Sequence, residues 1–150
     1  MLQRIQTVYL ILSLIVLTLT IWMPFAAFEK EGAVSVFSIF GLSTSTPDLN
    51  SWFPYYVIIG LSVALTFFAI TQFKNRKRQL NLGKINYLLL LATIVMLFLD
   101  SDNIALKLGV EKIQYGIGMY LPVAALAFTF LANRSIKKDE DLVRSVERLR

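Results

Sequence analysis

Neither cysteine nor histidine occurs anywhere in the 150 residues. Without cysteine there can be no disulfide framework, no thiolate metal centre and no cysteine nucleophile. Without histidine the commonest general base is gone, and with it most zinc and haem ligation and any Ser-His triad. Carboxylates, lysines and hydroxyls are all that is left for chemistry. Charge is scarce as well: Asp, Glu, Lys and Arg make up 17% of the chain against 56% hydrophobic residues, and the mean hydropathy is +0.62. That is more apolar material than a water-facing domain of this length carries, so much of it must face lipid. The net charge of +5 sits at the ends of apolar runs and not on an interleaved aromatic face. This argues against nucleic acid as a partner, and anionic headgroups explain the placement better.

The chain is organised around Lys74–Lys84, KNRKRQLNLGK, a basic stretch flanked by long apolar runs. The expectation is an all-α membrane protein, a four-transmembrane-helix bundle with helices at about 7–25, 54–73, 82–99 and 114–132. The first run is too long for a signal h-region and reads as a retained helix, stopped by Pro24. Apolar runs at 25–28 and 33–40 around Glu29-Lys30-Glu31-Gly32 predict a small extracytoplasmic β-hairpin in the first loop. Asp100 and Asp102 are expected to end the third helix. Residues 1–132 form the transmembrane domain in this reading, and 133–150 a cytoplasmic charged tail folded as an amphipathic helix. Only Lys30, Lys107 and Lys112 fall in the two connections placed outside. The positive-inside rule therefore predicts a multi-pass protein of the bacterial inner membrane with both termini cytoplasmic.

Candidate contact residues fall into three groups. Gly60 and Ala64, and along the last helix Gly118, Pro122, Ala125 and Thr129, are small residues at helical spacing, where another helix can approach closely. Pro122 should also bend its helix. Arg4, Lys74, Arg76, Lys77, Arg78 and Lys84 are topology determinants and headgroup contacts. In the tail, Ile136, Leu142, Val143, Val146 and Leu149 approximate one apolar stripe, with Arg144 and Arg148 beside it as partner contacts.

Apart from Lys84, which snorkels to the interface at the start of the third helix, no Asp, Glu, Lys or Arg lies inside the apolar segments, which argues against a pump or coupled transporter. Asp100-Ser101-Asp102-Asn103 offers oxygen ligands but lacks EF-hand spacing, and reads as a solvated helix end. No nucleophile and base are positioned together, so no enzyme, metal site or cofactor is expected. The partners implied are membrane lipids and other integral membrane proteins. The expected function is a non-catalytic accessory or assembly subunit of a larger membrane complex. The alternative is a small carrier or lipid-binding protein with a cavity near the Pro122 kink.

Four stretches carry a resemblance: QRIQTVYL (Gln3 to Leu10), KNRKRQL (Lys74 to Leu80), YGIG (Tyr115 to Gly118) and LANRSIKKDEDLVRSVERLR (Leu131 to Arg150). With these the chain resembles domain-of-unknown-function family 4293 over nearly its whole length. The resemblance implies a four-span inner-membrane protein of Bacteroidetes-type bacteria and brings no activity and no catalytic residues.

Overall fold

The computed structural model describes residues 2–30, 33–43, 54–73, 75–110 and 112–148. The elements run α1 (Leu2–Thr20), β1 (Ala26–Lys30), β2 (Ala33–Ser38), β3 (Gly41–Leu42), α2 (Tyr55–Thr71), α3 (Arg76–Leu108), β4 (Ile113–Tyr115) and α4 (Ile117–Arg148). The expected all-α four-span bundle is therefore corrected on two counts. The protein combines its four helices with a four-stranded antiparallel sheet of order β3-β2-β1-β4. Among the described residues, only Arg76–Leu108 and Ile117–Val143 are long and apolar enough to cross a membrane, while Ile5–Thr20 and Tyr55–Thr71 are shorter apolar helices.

Each difference has a local cause. The first helix stops at Thr20 because the backbone tightens there, with Ile21 N–H bonding Thr18 O and Trp22 N–H bonding Leu19 O (both 3.2 Å). Phe25 then gives its N–H to Phe37 O (2.8 Å), so the sheet has already claimed residues assigned to the helix. The β1–β2 hairpin pairs Ala26 with Phe37 and Lys30 with Ala33. Its other edge is filled by β4, which comes from the connection between the last two helices and pairs Ala26 with Tyr115 and Phe28 with Ile113.

The third helix begins two turns before residue 82 because Asn75 caps it, its Oδ1 accepting the Arg78 N–H at 3.2 Å. Arg, Lys, Gln and Leu are good helix formers, so a charged stretch there is still helical. Asp100 and Asp102 do not end it. The helix runs on to Leu108 and stops at Gly109, whose φ of 67° is a left-handed conformation suited to glycine, with Val110 N–H closing onto Ala105 O at 3.0 Å. The expected tail is no separate element either, since α4 continues through it to Arg148.

Successive helices run antiparallel. Gln6 meets Asp139 and Ser13 meets Thr129 across α1 and α4, Thr66 meets Asn86 across α2 and α3, and Tyr87 meets Phe130 across α3 and α4. The α1–α4 pair is the most extensive helix packing. The sheet closes one end of the helices. Beneath it Phe25, Phe37 and Tyr55 stack edge to face, with centroids 5.5–6.0 Å apart, over Ile59, Leu97, Ile104 and Met119.

Candidate functional site

The interior positions of the helices recur at alternating steps of three and four. They are Gln79, Gly83, Asn86, Leu90, Thr93 and Leu97 on α3, Tyr55, Ile59, Ser62, Thr66 and Ala69 on α2, and Ala125, Thr129, Ala132, Ile136 and Asp139 on α4. Such a spacing keeps one stripe turned inward. Many of these buried residues are polar, whereas Ile11, Ile15, Leu61, Phe67, Phe68, Leu88, Val95, Leu99, Val123 and Phe130 are exposed. This inverts the polarity of a water-soluble helical core.

Some of the buried polar groups form a seam of bonds between helices, while the hydroxyls of Thr20, Thr93 and Ser101 bond the carbonyl one turn back in their own helix. Ser13 Oγ lies 3.0 Å from Thr129 Oγ1 and donates to Ala125 O at 3.3 Å. Asn86 Nδ2 donates to Thr66 Oγ1 (2.9 Å), which itself donates to Ser62 O (2.8 Å). At the end away from the sheet, Gln6 Nε2 donates to the Asp139 carboxylate and to Ser135 O (3.3 Å), and Arg76 donates to Asp139 O at 3.3 Å. Gly83 lets α3 and α4 close there, for a Cβ at that position would overlap the Asn133 carboxamide at 1.9 Å. At the sheet end Gly118 does similar work. Its N–H reaches Pro24 O at 3.0 Å, and a Cβ would lie 2.5 Å from that oxygen and 2.6 Å from Met23 O.

A groove of about 370 Å³ opens between the C-terminal turn of α2 and the N-terminal turns of α3. Gln72, Arg78 and Asn81 line it toward the α2–α3 turn, and Phe68, Leu82 and Ile85 line it toward the middle of the helices. Arg76, Lys77, Lys84, Arg134, Lys137 and Lys138 belong to the same end of the molecule, opposite the sheet.

A family model described as Domain of unknown function (DUF4293) matches residues 2–149. The chain belongs to that family. No curated protein matches it. The family description carries no activity, so the residues of this DUF4293 chain are read from their own surroundings.

The structure scatters the sequence-derived candidates. Gly60 is exposed with nothing within 4 Å of a built Cβ, and Ala64 is half-buried, so no close approach centres on Gly60. Gly118 meets the backbone leading into β1, not a neighbouring helix. Pro122 is buried within the continuous α4, and Ala125 and Thr129 sit against Ser13 of α1. Pro122 is not among the residues that line the groove on α2 and α3. In the DUF4293 tail Ile136 is already covered by the protein itself at 1% exposure, while Leu142 and Val143 are exposed, Val143 lying two turns on along the same side of α4 as Ile136. Lys74 and Leu149 lie outside the described residues, as do the side chains of Arg4, Arg144, Val146 and Arg148.

Asp100 and Asp102 are two apart on a helix and so diverge. Asp100 accepts the Tyr55 hydroxyl at 2.6 Å and Asp102 that of Tyr115 at 3.4 Å. Burial, then the negative charge of Asp102, hold the Tyr115 phenol above its ordinary pKa. Sequence reasoning missed Gln6, Gln79, Asn86 and Asp139. A signal was present: Gln79, Asn86 and Thr93 repeat every seven residues within an apolar helix.

Proposed function

We propose that this protein is a non-catalytic membrane-embedded protein serving as an accessory or assembly subunit of a larger complex in the bacterial inner membrane. One observation carries the reading: large apolar side chains cover the outside of the helices while serine, threonine, asparagine and glutamine lie within. A lipid surround reverses the usual sorting of residues, because lipid tails are as apolar as leucine and helices associate through small residues and hydrogen bonds. Among the buried hydroxyls and amides, Ser13 with Thr129, Asn86 with Thr66 and Gln6 with Asp139 bond one helix to another, so their polarity serves assembly.

The subunit reading draws on the sheet end. At 33 residues α3 is about 50 Å long, against a hydrocarbon layer of about 30 Å. With Ile85 to Leu99 in lipid, Leu106 stands beyond it, yet it is 79% exposed, as is Phe40 beside the sheet. Apolar groups of that size outside the hydrocarbon favour a protein neighbour. The basic end faces the cytoplasm by the positive-inside rule.

Carbonate extraction followed by mild-detergent purification tests both parts. The chain should stay with the membrane and bring stoichiometric partners; release by carbonate refutes the membrane reading, and a lone protein refutes the subunit reading. Side is read with an impermeant thiol reagent on intact spheroplasts, since the chain has no cysteine background. Gln114→Cys should label and Lys137→Cys should not; the reverse pattern inverts the orientation.

A further inference from the structure

The groove between α2 and α3 has a chemical gradient that the packing of the helices does not require. Toward the α2–α3 turn it carries the Arg78 guanidinium with the amides of Gln72 and Asn81, and toward the middle of the helices it is the apolar surface of Phe68, Leu82 and Ile85. From Arg78 to Ile85 is two turns of helix, so polar gives way to apolar over about 10 Å. None of the lining residues is acidic. Lys77 precedes Arg78 on the same turn of α3, and Lys84 lies within the same stretch. The first turn of α3 adds the positive end of its dipole.

From this we infer that the groove holds one anionic phospholipid, its phosphate on Arg78 with Gln72 and Asn81, and one acyl chain running along Phe68, Leu82 and Ile85. A volume of about 370 Å³ is at the lower end of clefts that take small ligands, enough for a glycerophosphate and the start of a chain. Charge complementarity selects the occupant. A guanidinium makes paired bonds to phosphate oxygens, and a zwitterionic headgroup would bring its own cation into a basic neighbourhood. The order of the lining residues, polar at the basic end and apolar toward the middle of the helices, is also the order of a lipid leaflet. The inference rests on the membrane reading above.

The test uses the full-length protein in nanodiscs made from an equal mixture of phosphatidylglycerol and phosphatidylcholine. Lipid retained after mild delipidation is counted by native mass spectrometry. Wild type should keep one phosphatidylglycerol in preference to phosphatidylcholine. Arg78→Gln should lower that retention at least five-fold, and Ile85→Trp, which fills the apolar part, should lower it comparably. Lys112→Gln removes the same charge at the opposite end and should change nothing. Glycerol phosphate in millimolar excess should not displace the lipid. Equal retention by Arg78→Gln and Lys112→Gln overturns the site, and complete displacement by glycerol phosphate makes it a soluble-phosphate site. Each variant is first tested for resistance to carbonate extraction. Release of the wild type by carbonate removes the membrane reading and this inference together, whereas a resistant protein with non-selective retention removes only the site.

Discussion

Two glycines that look alike in sequence should respond oppositely to the same substitution. Gly118→Ala places a Cβ 2.5 Å from Pro24 O and 2.6 Å from Met23 O. Both are backbone atoms, tied to the sheet because Phe25 next in chain bonds Phe37 and accepts from Gly116 at 2.8 Å. They cannot rotate away as a side chain can. Overpacking of this kind costs about 1–3 kcal/mol, and pushing the segments apart also weakens the Gly118 N–H bond to Pro24 O, worth about 1 kcal/mol net. Gly60→Ala meets open space in the middle of α2 and should gain up to about 1 kcal/mol from helix propensity. The two alanine variants should therefore differ by about 2–4 kcal/mol. Gly83→Ala should lie between them, because its clash is with the end of the Asn133 side chain. Unfolding in one detergent, followed by near-ultraviolet circular dichroism of the aromatic cluster, measures all three. If Gly118→Ala matches Gly60→Ala within about 0.5 kcal/mol, smaller than the expected overpacking cost, close approach at Gly118 does not hold the sheet to the helices.

Three further substitutions probe the polar interior. Asp139→Leu leaves the Gln6 amide without its carboxylate and should cost about 1–3 kcal/mol, whereas Asp139→Asn keeps an acceptor and should cost less; equal losses would show that the Gln6 bond contributes nothing. Thr66→Val removes the acceptor of Asn86 Nδ2, and should cost about 0.5–1.5 kcal/mol, the range of hydrogen bonds between helices in lipid; no loss would mean that Asn86 finds another partner. Tyr55→Phe breaks the bond to Asp100 and should cost about 1–2 kcal/mol while leaving the edge-to-face ring contacts in place; an unchanged unfolding midpoint would refute that bond's contribution.

What could be read from the sequence was the local part of the structure. The β1–β2 hairpin was legible because both strands and their turn lie within one short stretch. The strand β4 was not, since Ile113-Gln114-Tyr115, though it holds two strand-favouring residues, is too short to signal a strand and becomes one by pairing with Ala26–Phe28, more than eighty residues earlier. The helix ends were misplaced for a different reason. Charge does not end a helix; it marks where a helix leaves an apolar layer. Asn75 and Gly109 are what start and stop α3, by a side-chain cap and a left-handed turn. Small residues were also too weak a signal of packing: Gly60 and Gly118 look equivalent in sequence, and only the position of the Pro24 carbonyl separates them.

The two close approaches and the seam between them bear on one problem. A helix in lipid gains little by burying leucine against leucine, so apolar packing alone would let helices slide or rotate relative to one another. Here Gly118 fixes α4 against the Met23-Pro24 backbone at the sheet end, and Gly83 fixes α3 against Asn133 near the basic end. Between them the Ser13–Thr129 and Asn86–Thr66 pairs form only in one register, because a shift of one residue turns each partner by about 100° away from the other. The groove lies where α2 and α3 approach their connecting turn, and lining it takes Phe68 from one helix and Leu82 and Ile85 from the other. A slip between those helices would separate the groove walls. Thr66→Val should therefore weaken lipid retention as well as stability, although Thr66 does not line the groove. If stability falls and phosphatidylglycerol retention does not, the register of α2 on α3 is set elsewhere, and the groove depends on Arg78 alone.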